Sequence, residues 1–189
     1  TYFKIPTYTV LGFKDFLGDF TNRNAKYTKS NHYVTGFEYA LGNASRISIE
    51  GFIKQYGNFP ISIVDGVSLA NKGADFEVLG NENIITNGIG KTKGIEFLFQ
   101  QKLTRNFYGI FSYTFFKSEF TDINGSYLPS VWDSKHLSSF SGGYKLKRNW
   151  EISSRWRFAG KTPYVPYDLT SSLSNYPNMI LDYSQLGNV

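Results

Sequence analysis

Between Tyr33 and Leu41 the sequence alternates strictly, with Tyr33, Thr35, Phe37, Tyr39 and Leu41 on one face of an extended chain and Val34, Gly36, Glu38 and Ala40 on the other. Successive side chains of a strand point to opposite sides of the pleat, so a two-residue period predicts a strand with two chemically different faces. After the break Gly42-Asn43-Ala44-Ser45 the alternation resumes, Ile47, Ile49, Gly51 and Ile53 against Arg46, Ser48, Glu50, Phe52 and Lys54, which predicts a hairpin. Four more runs repeat the pattern. Ile95, Phe97 and Phe99 oppose Glu96, Leu98 and Gln100; Phe107, Phe111, Tyr113 and Phe115 oppose Tyr108, Ser112 and Thr114. Phe140, Tyr144 and Leu146 oppose Ser139, Ser141 and Lys145; Trp150, Ile152, Trp156 and Phe158 oppose Glu151, Ser153, Arg155 and Arg157.

The connections alternate too. Tight breaks at 42–45, at Thr104-Arg105-Asn106 and at Lys147-Arg148-Asn149 are separated by long irregular stretches, Gly57 to about Gly90 and Glu119 to Ser134. Pro163, Pro166 and Pro177 forbid a long strand after Gly160. Strands of roughly ten residues exceed the five or six common in soluble sheets and match the nine to eleven that cross a bilayer at a tilt. The prediction is therefore an all-β protein, an antiparallel up-and-down transmembrane β-barrel with long loops on one side and tight turns on the other. About six strands fall short of the roughly eight a closed barrel needs, and an open edge leaves unpaired backbone in lipid, so these residues make only a partial wall.

Alternation alone leaves a second reading open, a soluble or surface-anchored all-β carbohydrate- or ligand-binding module that buries the same apolar face against a second sheet. Aromatic residues near strand ends, at Tyr33, Phe107, Tyr144, Trp150 and Trp156, favour the membrane, because amphipathic rings settle at headgroup level. A passive porin or adhesin barrel differs from a transporter only outside this stretch.

Composition narrows the chemistry. Aromatics make up 18% of the 189 residues, charged residues 19%, and cysteine is absent, which excludes a disordered polymer, a disulfide scaffold and thiol chemistry. No apolar run approaches the ~18 residues of a transmembrane helix. Twenty basic against fifteen acidic residues give +5, thinly spread; the densest basic spot, Lys145, Lys147 and Arg148, sits beside a turn, so nucleic acid is not an expected partner. The chain begins at Thr1 without methionine or leader and is expected to be a piece of something longer.

Gly90-Lys91-Thr92 looks like the end of a phosphate loop, but Ile85 stands where that motif needs glycine. His32 and His136 lack a carboxylate pair at ligand spacing, so no metal site is expected. Asp122-Ile123-Asn124-Gly125 lacks the closing glutamate of a calcium loop and reads as a side-chain-stabilised turn. Glu96, Glu151, Arg155 and Arg157 read as lumen-wall charges that pair across strands. Nothing supports a catalytic triad, so neither catalysis nor a cofactor is expected.

Five fragments in order resemble the TonB-dependent outer-membrane receptors, in particular the Bacteroidetes type. Tyr27-Thr28-Lys29-Ser30-Asn31-His32-Tyr33-Val34-Thr35-Gly36-Phe37-Glu38-Tyr39 is similar to the family's lead into a barrel strand, and Gly90-Lys91-Thr92-Lys93-Gly94-Ile95-Glu96-Phe97 to its glycine-hydrophobic-glutamate strand start. Tyr113-Thr114-Phe115-Phe116-Lys117-Ser118-Glu119-Phe120, Trp132-Asp133-Ser134-Lys135-His136 and Arg157-Phe158-Ala159-Gly160-Lys161-Thr162-Pro163-Tyr164 follow. The resemblance implies a 22-stranded barrel around an N-terminal plug, of which this chain is a late wall segment in a Gram-negative outer membrane. Residues 1–31 are then an extracellular loop segment, 32–159 barrel strands and 160–189 loop and tail, with the plug absent. It also implies active uptake of a scarce small-molecule ligand, a metal chelate, cobalamin or a glycan, driven by the TonB energy-coupling complex, with outer-membrane lipid against the apolar face.

Loops on a rigid barrel vary without disturbing the wall, so ligand contacts are sought there. Tyr56, Phe59, Trp132, Tyr164 and Tyr167 are candidates to stack on a ligand, with Asp65, Lys72 and Lys161 as polar anchors. Packing of loop against loop, or loop against plug, is the equally open alternative.

Overall fold

A computed structural model describes residues 1–72 and 80–187. Part of the irregular stretch after Gly57 (73–79) and the last two residues of the tail lie outside the described residues.

All eight strands belong to one antiparallel sheet. The six expected strands are β2 (Thr28–Leu41), β3 (Ser45–Ser62), β4 (Ile84–Thr104), β5 (Phe107–Thr121), β7 (His136–Lys145) and β8 (Glu151–Ala159). Two three-residue strands join them: β1 (Tyr2–Lys4) along β2, and β6 (Tyr127–Pro129) along β5. Segment 1–31, expected as loop, thus holds β1 and the start of β2, together with a single helical turn, α1 (Tyr8–Leu11). The tail carries α2 (Leu169–Ser174) and a β-bridge between Tyr167 and Leu181.

Strand order follows chain order from β1 through β5 to β7 and β8, so each hairpin lies beside the next. At one end the reversals are tight, at 42–44, at Arg105-Asn106 and at 146–150, where Arg105, Arg148 and Asn149 take positive φ. The other end carries every long connection. β4, at 21 residues, is about twice the length a tilted bilayer crossing would require, and β3, β4 and β5 project beyond β7 and β8 on the long-loop side.

Register decides the faces, since residues directly opposite in an antiparallel pair lie on one side of the sheet. The row Tyr39, Ile47, Phe99, Phe111, Phe140 and Trp156 runs unbroken across six strands, and so does Phe37, Ile49, Phe97, Tyr113, Ser138 and Phe158. The opposite face carries Glu38, Glu50, Glu96, Thr114, Ser139 and Arg157 among others. No second sheet is present among the described residues to cover the apolar side, where Phe37 is 60% and Ile95 56% exposed in mid-sheet. The sandwich alternative required that face to be buried within this chain, and it is not.

What core exists sits at the long-loop end, where Val10, Ile61, Val67, Ala70, Phe120 and Leu186 are buried. The strands in the lower wall hold together through ladder hydrogen bonds and cross-strand pairs.

Candidate functional site

At the long-loop end of the polar face the strands present a continuous ladder of rings. Tyr2 on β1 meets His32 on β2 at 5.0 Å between centroids, and His32 meets Tyr56 on β3 at 6.4 Å. Tyr56 packs on Phe59 (6.4 Å) and on Phe120 of β5 (5.3 Å), Phe59 on Phe120 (4.5 Å), and Phe120 edge-on to Trp132 (5.7 Å). These separations fall in the range favoured by aromatic pairs.

Two irregularities aim the rings. Between Tyr56 and Phe59 β3 holds an extra residue, with Asn58 at φ 55°, and β4 compensates between Gly88 and Ile85. The paired bulges bend the projecting strands while leaving Tyr56, Phe59 and Ile61 on one side. Beneath the centre of the ladder lies Gly90, where a Cβ would come within 2.3 Å of the Phe120 ring. Four residues below, Gly94 performs the same service for Phe52, whose ring tip would lie 2.7 Å from a Cβ there. Glycine on β4 is what allows large rings to lie flat across the strand.

Trp132 is held from behind. Its indole N–H donates to Ser118 Oγ at 3.1 Å, and Ser118 shares a 2.8 Å hydrogen bond with Thr92. The adjacent Asp133 accepts the Ser118 backbone N–H at 2.8 Å and is buried. Burial raises the Asp133 pKa above the ordinary carboxylate value; the Ser118 N–H and the charges of Lys135 and Lys117 offset this only in part. Trp132-Asp133 therefore pins the β6–β7 loop onto β5.

Of the residues expected from sequence, Tyr56, Phe59 and Trp132 come together here. Asp65 and Lys72 do not join them. They form a clasp at the base of the β3–β4 loop, in which the Lys72 amine binds the Asp65 carboxylate and, at 2.7 Å, Glu82, while Ser62 donates to Glu82. Burial, the largest single influence, disfavours the charged amine, but Asp65 and Glu82 together outweigh it and hold the Lys72 pKa above lysine's ordinary value. A raised lysine pKa stabilises the fold at all pH below its unfolded value and loses that contribution only as pH rises through the folded one. The clasp therefore holds at neutral pH. Lys72→Met leaves two carboxylates facing one another with little solvent and is expected to weaken the loop by about 2–3 kcal/mol, below the figure for a fully buried pair because Asp65 keeps some solvent. Amide exchange at Ser62 to Ala70 checks it; unchanged protection would show the clasp to be idle.

Lys161, Tyr164 and Tyr167 lie apart, exposed on the tail. The Tyr164 carbonyl accepts the Gly187 N–H at 3.3 Å, which folds the tail back on itself. The polar-face charges, expected to pair across strands, depart from simple pairing as well. Arg46 meets Glu38 at 3.0 Å, but Glu96 lies directly opposite Glu50, and Glu151 accepts from Tyr108 (2.5 Å).

Sequence reasoning missed Phe120, the hub of the ladder, and the ring-stacking of His32. Continuing the β5 alternation through Phe116 and Ser118 reaches Phe120 on the correct face.

Comparisons with known proteins agree with this architecture. No curated protein matches the chain. Among solved structures, the ferripyoverdine receptor of the outer membrane of Pseudomonas aeruginosa, bound to ferripyoverdine, superposes with a TM-score of 0.55 at 19% identity, over 82% of this chain and 20% of that one. The pyoverdine outer membrane receptor FpvA from Pseudomonas aeruginosa PAO1, bound to pyoverdine, gives 0.59 at 18% identity over 90% of this chain and 23% of that one. A complex of FpvAI with pyocin S2 gives 0.58 at 18% identity, over 90% of this chain and 20% of that one. The chain thus spans about a fifth of the solved receptors it matches. The family described as TonB dependent receptor-like, beta-barrel matches residues 1–185. With one face apolar, the other polar and turns short at one end only, this partial barrel wall belongs to the TonB-dependent receptor-like β-barrel family.

Proposed function

We propose that the chain forms part of the wall of an outer-membrane receptor that takes up a scarce ligand using energy delivered by TonB. In this reading the apolar face meets lipid, the polar face lines the lumen, the tight turns face the periplasm and the long loops face outward. TonB acts on a plug region carried elsewhere in the receptor. Segments 1–31 and 160–189 then lie on the outer side, and the strands between them form the wall. The Bacteroidetes affinity rests on the sequence motifs alone.

The observation that carries the reading is the ring ladder from Tyr2 to Trp132, on the lumen side of strands that overshoot the bilayer on the long-loop side. Flat rings in that position stack on planar or sugar-faced ligands. Metal chelates, cobalamin and glycan fragments all fit that description, and the ferripyoverdine and pyoverdine bound by the solved relatives make ferripyoverdine the first to try. Tyr56, Phe59 and Trp132 are the contacts proposed, with Lys161, Tyr164 and Tyr167 on the tail as secondary candidates. Asp65 and Lys72 shape the loop beside them.

The test measures accumulation of radio-iron ferripyoverdine, cyanocobalamin and a malto-oligosaccharide by cells carrying the full receptor, with and without TonB. One probe is expected to accumulate only with TonB, and Tyr56→Ala with Trp132→Ala to lower that uptake about tenfold at unchanged receptor level, as loss of two aromatic contacts predicts. Accumulation independent of TonB would make the barrel a passive pore.

A further inference from the structure

The outward face changes character abruptly at the top of its apolar band. One step above Ile95 and Phe115, Lys93 and Lys117 stand directly opposite one another on β4 and β5, and one step higher Lys91 pairs with Glu119. Two residues along a strand is about 7 Å, so these lysines sit at the depth where hydrocarbon gives way to headgroups. Like charges facing across strands are unfavourable, and one carboxylate serves the group: Glu119 takes Lys117 at 2.7 Å and Lys91 at 3.6 Å. Lys93 has no ion-pair partner among the described residues.

Two recesses adjoin the cluster. Below it, a groove of about 550 Å³ runs across β2 to β5, walled by Tyr33, Ile53, Ile95 and Phe115 and floored by Thr35 and Gly51, with Lys93 and Lys117 at its rim. Above it lies a second recess of about 390 Å³ bordered by Lys29, Asn31, Gln55, Ile89, Lys91 and Tyr127, with the Lys91 amine 3.7 Å from the Tyr127 ring centre. The space above Gly51 is open: a Cβ there would meet only the Thr35 carbonyl, at 4.0 Å, so a larger side chain at this position would project into the groove.

We infer that this is a binding site for a phosphorylated glycolipid of the outer leaflet, with an acyl chain in the groove, a phosphate between Lys93 and Lys117, and sugar hydroxyls against Asn31 and Gln55. An apolar slot capped by three lysines with one carboxylate between them and then by amides matches that order of chemistry along one molecule. The inference rests on the apolar face being the lipid face.

The full-length receptor, purified in detergent, is titrated with bis-phosphorylated lipid A, dephosphorylated lipid A, phosphatidylglycerol and soluble glucosamine phosphate, with bound lipid read by native mass spectrometry. Bis-phosphorylated lipid A is expected to bind best, Lys93→Ala with Lys117→Ala to weaken it about tenfold or more, and Gly51→Leu to weaken lipid A while sparing glucosamine phosphate. Equal binding by the double lysine variant, or phosphatidylglycerol matching lipid A, overturns the site. Quenching of Trp156 by brominated lipid in the same preparations separates the two failures: if it persists, only the glycolipid site is lost; if it is absent, the membrane reading falls as well.

Discussion

Phe120→Ala in the intact receptor is expected to cost about 3–5 kcal/mol, the range for truncating a large buried aromatic. Phe120 is 1% exposed, and its ring covers Gly90 while touching Tyr56, Phe59 and Trp132. The rings around it are held by separate strands and by the Trp132 to Ser118 hydrogen bond, so they have little freedom to collapse into the space. Denaturant unfolding of receptor refolded into lipid, with uptake measured in parallel, checks the prediction. Both should fall together; a loss below about 1 kcal/mol would mean the ladder is held by its loops and not by this ring.

The second large effect concerns the opposite face. Phe111→Arg is expected to destabilise the receptor by roughly 2–4 kcal/mol, the cost of a cationic side chain on the lipid side at mid-bilayer. Along β5, Phe111 lies about midway between the tight turn at Arg105-Asn106 and Lys117 at the top of the apolar band, so neither end lets the charge reach headgroups easily. Ser112→Arg, one residue on and facing the lumen, is the control and should change stability little. Equal costs at both positions would mean that the faces have been assigned wrongly.

How far the sequence revealed this depends on where along each strand one looks. Within the apolar band the six long strands and their tight turns are plain, because an apolar face opposite a polar one gives a clean two-residue period. Above the band both faces turn polar and the period fades: the stretch from about Glu119 reads as loop although β5 runs on to Thr121. β3 continues to Ser62 through Gly57-Asn58, whose bulge disguises the alternation, and β4 begins at Ile84, inside a stretch rich in Asn and Gly. β1 and β6, at three residues each, are too short to show any period.

The site follows the same logic. Tyr56, Phe59 and Trp132 are conspicuous as aromatics in apparent loops, and they converge. Phe120 was hidden because it lies past the visible end of its strand. Asp65 and Lys72 look like free polar anchors until the loop folds and brings Glu82 to Lys72 across ten residues.

The central claim is that the row of rings from Tyr39 to Trp156 faces lipid. It is tested most directly in the intact receptor, reconstituted into bilayers and carrying Trp150 and Trp156 as its only tryptophans, by quenching with lipids brominated along the acyl chain. The account predicts strong quenching by bromines near mid-chain of Trp156, which register places inside β8 beside Phe140 and not at the strand end expected from sequence, and of Trp150, beside the tight turn, by bromines near the headgroup. A folded receptor whose tryptophans are untouched by bromine at any depth would contradict it and place the aromatic face inside a protein core.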